Sequence, residues 1–143
     1  MSGFLGRYRY SLDAKGRVSL PAPFQRDADS DSFVLVRFHS EALTLYPEPA
    51  WEKAESRLRE MLERRPDFRP HVLKLTGNAV RTTPDSKGRI LIPDHLRQEV
   101  GLDGEALIVG ALDKIEIWDP EKFESATAGT DDEFDRLAAS IFA

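Results

Sequence analysis

The hydrophobic pattern of this 143-residue chain reads as short strands broken by turns, with helices between and after them. Tyr8-Arg9-Tyr10-Ser11-Leu12 alternates with the period of a half-buried strand. Val18-Ser19-Leu20 begins a second strand that Pro21 ends, and the turn between them runs from Asp13 to Gly16. Two further strand pairs are expected, Phe33 to Phe38 with Ala42 to Tyr46 and Glu105 to Gly110 with Lys114 to Trp118. Their turns fall at Ser40-Glu41 and Leu112-Asp113. Helical spacing takes over at Trp51, Ala54, Leu58, Met61 and Leu62, with Pro49 near the first turn and Pro66 as the stop. Phe68, Val72 and Leu75 suggest another helix closed by Gly77, and Asp94 to Val100 a short one stopped by Gly101. Ala126 to Thr130 reads as a loose connection. Asp131 to Phe142 then places Phe134, Leu137, Ala138 and Ile141 on one stripe.

The pattern is written twice. Asp13-Ala14-Lys15-Gly16-Arg17-Val18-Ser19-Leu20-Pro21 returns 72 residues later as Asp85-Ser86-Lys87-Gly88-Arg89-Ile90-Leu91-Ile92-Pro93, with five identities in nine positions. The same offset matches Arg9 to Arg81, Phe24 to Leu96, Leu35 to Leu107, Val36 to Ile108, Leu45 to Ile117 and Trp51 to Phe123, without a gap. Two copies are too few for a solenoid. They suit a closed pseudo-two-fold barrel in which each half completes the other. The expected fold class is therefore α+β, a β-barrel of two internal repeats, 1–65 and 66–143, with peripheral helices.

Composition narrows the setting. At 41% hydrophobic and 31% charged, the chain can build an ordinary core. Without cysteine it has no disulfide or thiolate metal site, which fits a reducing cytoplasm. The opening Met1-Ser2-Gly3-Phe4-Leu5-Gly6-Arg7 has no apolar core of signal-peptide length. The longest apolar run, Ala106 to Leu112, falls far short of the roughly 20 residues of a membrane span, so a soluble protein with no membrane partner is expected. The net charge of −5 argues against a polyanionic partner until its distribution is considered. Residues 1–26 carry Arg7, Arg9, Lys15, Arg17 and Arg26 against Asp13 alone. Residues 74–97 carry Lys74, Arg81, Lys87, Arg89 and Arg97 against Asp85 and Asp94. Local fields, not the total, attract a polyanion.

The basic segments coincide with the repeated loop, and its residue types explain one another. Asp at the head of a β-turn accepts bonds from N–H groups further on, and Gly supplies positive φ after it. Asp13, Gly16, Asp85 and Gly88 thus solve a backbone problem. Lys15, Arg17, Lys87 and Arg89 then project from a stiff platform, where Arg offers a fork for guanine or phosphate and Lys a point charge. Arg17 and Arg89 have a plainer alternative, an ion pair with the Asp of their own loop, but an exposed pair adds little stability. Arg9 and Arg81 either extend the patch or decorate the wet face of a strand. Four cations give a salt slope of roughly −3.6, thin for specific binding, and oligomerisation would multiply them.

Catalytic constellations are lacking. His39, His71 and His95 form no His-Glu-x-x-His pair, and neither a phosphate loop nor a Gly-x-Ser-x-Gly elbow occurs. Asp13 and Asp85 could be imagined as a symmetric carboxylate dyad, but Lys and Arg within four residues hold each one ionised. No enzyme and no cofactor is expected. The remaining rival is a protein-interaction or antitoxin-like scaffold module. Trp51, Met61, Leu62 and the C-terminal helix could face a neighbour, although their spacing also fits core packing.

Phe4-Leu5-Gly6, Leu12-Asp13-Ala14-Lys15-Gly16-Arg17-Val18 and Leu20-Pro21-Ala22 resemble the opening of MraZ proteins. Gly88-Arg89-Ile90-Leu91-Ile92-Pro93 and Ile117-Trp118 resemble their second half. The resemblance implies an AbrB-like swapped-hairpin barrel and a bacterial transcription regulator. It also implies a nucleoid-associated homo-oligomeric ring that binds double-stranded DNA at direct repeats upstream of its own gene, in the division and cell-wall cluster. It further implies that the Asp-x-x-x-Arg loops touch DNA, which maps onto Asp13 with Arg17 and Asp85 with Arg89. Repression by exclusion of RNA polymerase is the expected outcome. One departure stands out: the first copy reads Phe24-Gln25-Arg26 where the family pattern has Phe-Arg, so that cation is shifted or lost, while the second copy keeps Leu96-Arg97.

Overall fold

The structure is a computed structural model that describes residues 3–129 and 131–142; Thr130, the end of the expected loose connection, lies outside them. Strands β1 (Arg7–Ser11) and β2 (Arg17–Ser19) flank the first Asp loop. Helix α1 (Ala22–Asp27) leads into β3 (Phe33–Val36) and β4 (Ala42–Pro47). Helix α2 (Glu48–Arg64) and α3 (Arg69–Asn78) follow, joined by a 3-10 turn at Pro66–Phe68. The second half repeats the order with β5 (Val80–Thr82), β6 (Arg89–Leu91), α4 (Asp94–Val100), β7 (Glu105–Ala111), β8 (Lys114–Trp118), α5 (Pro120–Ala126) and α6 (Asp131–Phe142). Pro residues sit at the first turns of α2 and α5, and Gly101 ends α4 in the left-handed region at φ 70°. Gly77 does not close α3; the helix carries on to Asn78.

The strands make a six-stranded antiparallel sheet in the order β1-β7-β8-β4-β3-β5, and a separate ribbon of β2 with β6. The halves exchange strands. β1 of the first pairs with β7 of the second, and β5 of the second pairs with β3 of the first. Thr44 lies opposite Glu116 and Val18 opposite Ile90, each residue facing its own counterpart at an offset of 72. The axis relating the halves therefore passes through both pairs.

The expected closed barrel is not formed among the described residues. β1 and β5 are the two edges of the sheet, and no pairing joins them. Each ribbon strand is only three residues long, and Pro21 or Pro93, which lacks an N–H, follows within two residues. The ribbon instead lies over one face of the sheet. Val18, Leu20, Ile90 and Ile92, each at most 3% exposed, join Leu35, Leu43, Leu45, Ile108, Ile115 and Ile117 in the main core, with Phe24 of α1 and Leu96 of α4 beside them. Alternation along β3 and β4 sends Val34, Val36 and Tyr46 to the opposite face, where Trp51, Ala54 and Leu58 of α2 cover them. There Leu107 and Trp118 meet Phe123 of α5. The helical stripe that begins at Trp51 is thus a packing face, with Met61 and Leu62 half-buried.

The 72-residue offset does not run unbroken. Core-facing Leu35 corresponds to Ile108, and Val34 to Leu107, an offset of 73, whereas Leu43 and Leu45 correspond to Ile115 and Ile117 at 72. One extra residue enters between Gly101 and Ala106, a stretch containing Gly104 at φ 79°, and the connection from Val109 to its partner Glu116 is one residue shorter than that from Val36 to its partner Thr44. A slip of one residue reverses every side chain on a strand, so burial decides the register where residue identity cannot.

Of the two readings open to the stripe of helix α6, core packing is not the one the structure bears out: Phe134, Leu137, Ile141 and Phe142 are between 62% and 84% exposed. No helix of the described residues is long and apolar enough to cross a membrane.

Candidate nucleic-acid interface

Each Asp loop is a tight, doubly clamped turn. In the first, Gly16 N–H donates to the Asp13 carbonyl at 3.0 Å and Asp13 N–H to the Arg17 carbonyl at 2.9 Å. Asp13 Oδ1 accepts the N–H groups of Lys15 and Arg17, both at 2.9 Å, and Oδ2 accepts Arg17 Nε at 2.7 Å. The second loop repeats this bond for bond. Asp85 Oδ1 takes Lys87 and Arg89 N–H at 2.9 Å, and Oδ2 takes Arg89 Nε at 3.0 Å. The Arg17 N–H, helped by its guanidinium and the Lys15 N–H, holds the Asp13 carboxyl down to about 2 against the opposing effect of burial. The Arg89 N–H, likewise first among its partners, lowers Asp85. Both carboxylates stay ionised at neutral pH, so the plainer role foreseen for the arginines is present: each pairs with its own loop.

Arg17 pairs through Nε, whereas Arg89 engages Asp85 through both Nε and Nη2, each at 3.0 Å. Arg17 and Arg89 keep 34% and 27% of their side chains exposed, and Lys15 and Lys87 are exposed beyond them. With Val18 and Ile90 turned into the core, Arg17, Ser19, Arg89 and Leu91 form the outward face of the ribbon, Arg17 opposite Leu91 and Ser19 opposite Arg89. The fold thus brings Arg17 and Arg89 of the two halves onto one surface, with exposed Lys15 and Lys87 in the loops that lead into its strands. Arg89 Nη1 also comes within 3.7 Å of Asp13 Oδ2, crossing from one loop to the other.

Arg9 and Arg81 are not brought there. Tyr8 and Tyr10 pack against the ribbon-side core, so the alternation of β1 turns Arg9 to the other face of the sheet, and Val80 does the same for Arg81. Arg9 Nε pairs with Glu105 at 2.5 Å, and a shallow cleft beside it of about 420 Å³ is also lined by Glu121 and Glu124. Arg81 pairs with Glu48 at 3.0 Å.

Two residues behind the loops went unforeseen as supports. Gly16 and Gly88 have φ of 86° and 76°, and a Cβ on Gly16 would lie 2.6 Å from the Arg97 guanidinium and 2.8 Å from the Ile92 carbonyl. On Gly88 it would lie 2.7 Å from the Gln25 amide. Each loop therefore rests on a side chain from the other half's helix. Gln25 occupies the place of Arg97 in the first copy, donating to the Leu20 carbonyl at 2.8 Å, so the cation is lost from this position rather than shifted; Arg26 is exposed. Arg97 pairs with Asp94, while its buried Nε has no hydrogen-bond partner among the described residues. The signal was available, since Gln25 and Arg97 are 72 apart.

Among the described residues no group of three His, Asp or Glu side chains could hold a metal ion. Comparison with known proteins gives a consistent answer. The family described as "MraZ protein, putative antitoxin-like" matches residues 4–69 and again 75–141. A protein named "Transcriptional regulator MraZ" from Leuconostoc citreum (strain KM20) is 34% identical over 138 residues, 96% of both chains. Its namesake from Desulforamulus reducens is 33% identical over the same shares. Another, from Pelotomaculum thermopropionicum, is 35% identical over 96% of this chain and 94% of its own.

Proposed function

The chain belongs to the MraZ family, and from that premise we propose that it is a DNA-binding transcriptional regulator whose contact surface is the outward face of the β2–β6 ribbon. The relatives are named as regulators of transcription, not as enzymes. The observation that carries the reading is the convergence of Arg17 and Arg89 on one outward face of an otherwise acidic chain, with exposed Lys15 and Lys87 in the adjoining loops. Phosphate contacts supply affinity and register, and an arginine fork can read guanine in the major groove. Asp13 and Asp85 orient the arginines. Arg9 and Arg81, each tied to a glutamate on the far face, add only to the long-range field.

The finer reading follows the family resemblance. The two halves, 1–65 and 66–143, are taken as swapped-hairpin repeats of one pseudo-two-fold domain. The chain assembles into a homo-oligomeric ring, associates with the nucleoid in the cytoplasm, and binds direct repeats upstream of its own gene. There it excludes RNA polymerase from the operon of the division and cell-wall cluster. Self-association draws support from α6, whose large apolar side chains stand in water. The test is a mobility-shift titration of the full chain against a duplex of its own upstream region, with a scrambled duplex of equal length as reference. Preferential retention of the upstream duplex is expected. Equal retention of both would reduce the protein to a non-specific binder, and no retention would favour a scaffold or antitoxin-like module.

A further inference from the structure

The ribbon face is a grid of four residues whose symmetry is broken at one pair. The relation between the halves exchanges Arg17 with Arg89, which preserves charge, and Ser19 with Leu91, which does not preserve chemistry. Leu91 is 49% exposed, lies directly opposite Arg17, and belongs to none of the three apolar clusters that build the core. The loops share the asymmetry. Asp13 reaches the arginine of the other loop, while no ion pair joins Asp85 to Arg17 among the described residues. The first loop rests on Arg97 and the second on Gln25.

A two-stranded ribbon is one of the elements the major groove admits, and the apolar feature presented there is the C5 methyl of thymine. We propose that Leu91 is a specificity-determining residue, packing on a thymine methyl in the major groove next to the contact made by Arg17. Ser19, at the related position, takes a polar base edge. Each subunit then reads a directional site rather than a palindrome, because the two halves of the ribbon ask for different bases. This rests on the DNA-binding reading above.

Replacing thymine by uracil removes that methyl and nothing else. The full chain is titrated against its own upstream duplex with each thymine in turn replaced by uracil. For the unaltered protein, affinity falls about fourfold at one thymine in each bound repeat, the worth of one buried methyl group. Leu91→Ser, a change on the exposed face, binds the thymine and uracil duplexes equally at that position. Ser19→Leu acquires methyl dependence at a second position on the other side of the site. If no uracil alters binding by the unaltered protein, or if Leu91→Ser keeps the same uracil profile, the inference fails while the DNA-binding reading stands. If the all-thymine duplex is not retained at all, both fail.

Discussion

The carboxylate of Asp13 lies 3.7 Å from the guanidinium of Arg89, an arginine from the other half of the chain, while it also holds Arg17 at 2.7 Å. One acidic side chain thus restrains both arginines of the ribbon, whereas among the described residues Asp85 pairs with its own arginine alone. By charge alone, deleting either carboxylate from a surface that meets a polyanion should strengthen binding. If aim matters more than charge, deletion weakens it. Asp13→Ala is expected to lower affinity for the upstream duplex, and by more than Asp85→Ala does. Titrations at one fixed salt concentration decide it; tighter binding by either variant would mean that the carboxylates serve the fold alone.

Acid should dissolve this clamp in a defined window. Asp13 is held down to about 2, below the ordinary aspartate value of 3.8. A group lowered in the folded state contributes stability that is complete above its unfolded pKa and is lost as pH falls through the folded one. The stability gap between the unaltered chain and Asp13→Asn is therefore expected to hold from pH 7 to about pH 4 and to close toward pH 2. Urea unfolding at several pH values measures the gap, and a constant gap down to pH 2 would contradict the assignment.

The loop glycines should differ in what an added methyl costs. Both have positive φ, a conformation that costs other residues about 1–2 kcal/mol. At Gly16 the new Cβ also meets the Ile92 backbone carbonyl, which cannot move aside, whereas at Gly88 it meets only the end of the Gln25 amide. Gly16→Ala is expected to destabilise by about 3 kcal/mol, and Gly88→Ala by nearer 1–2 kcal/mol. Thermal unfolding ranks the two, and a larger loss at Gly88 would reverse the argument.

Much of this fold is legible in the sequence. The Asp-x-Lys-Gly-Arg turn follows from local chemistry, because Asp and Gly each solve a backbone constraint that no distant contact can override. The helix that starts near Pro49 and the Gly101 stop follow from spacing and capping for the same reason. The register of β7 was not legible, since Leu107 and Ile108 are both apolar and only packing says which faces inward. The side of the sheet taken by Arg9 and Arg81 was equally hidden: alternation shows that Tyr8 and Arg9 face opposite ways, not which way the ribbon lies. Helix α6 shows the reverse failure. An amphipathic stripe promises burial but does not name the partner, and Leu137 and Ile141 stay exposed.

That exposed stripe carries a prediction of its own. If α6 seals contacts between subunits, Leu137→Glu with Ile141→Glu should reduce the mass of the free assembly in light scattering. The same pair should also abolish the preference for tandem target repeats over a single repeat, because linked sites gain by effective concentration. An assembly of unchanged mass would remove α6 from the interface.

The central claim is that the two arginines of the ribbon meet DNA together. Arg17→Ala, Arg89→Ala and the double variant should keep the mass of the unaltered assembly, since both side chains lie outside the core. The measurement is affinity for the upstream duplex across a range of salt. Each arginine removed is expected to weaken binding and to flatten the slope of log K against log salt by about 0.9 for every subunit engaged, with the double variant losing retention. A double variant that binds the duplex with undiminished affinity and an unchanged salt slope would contradict the account.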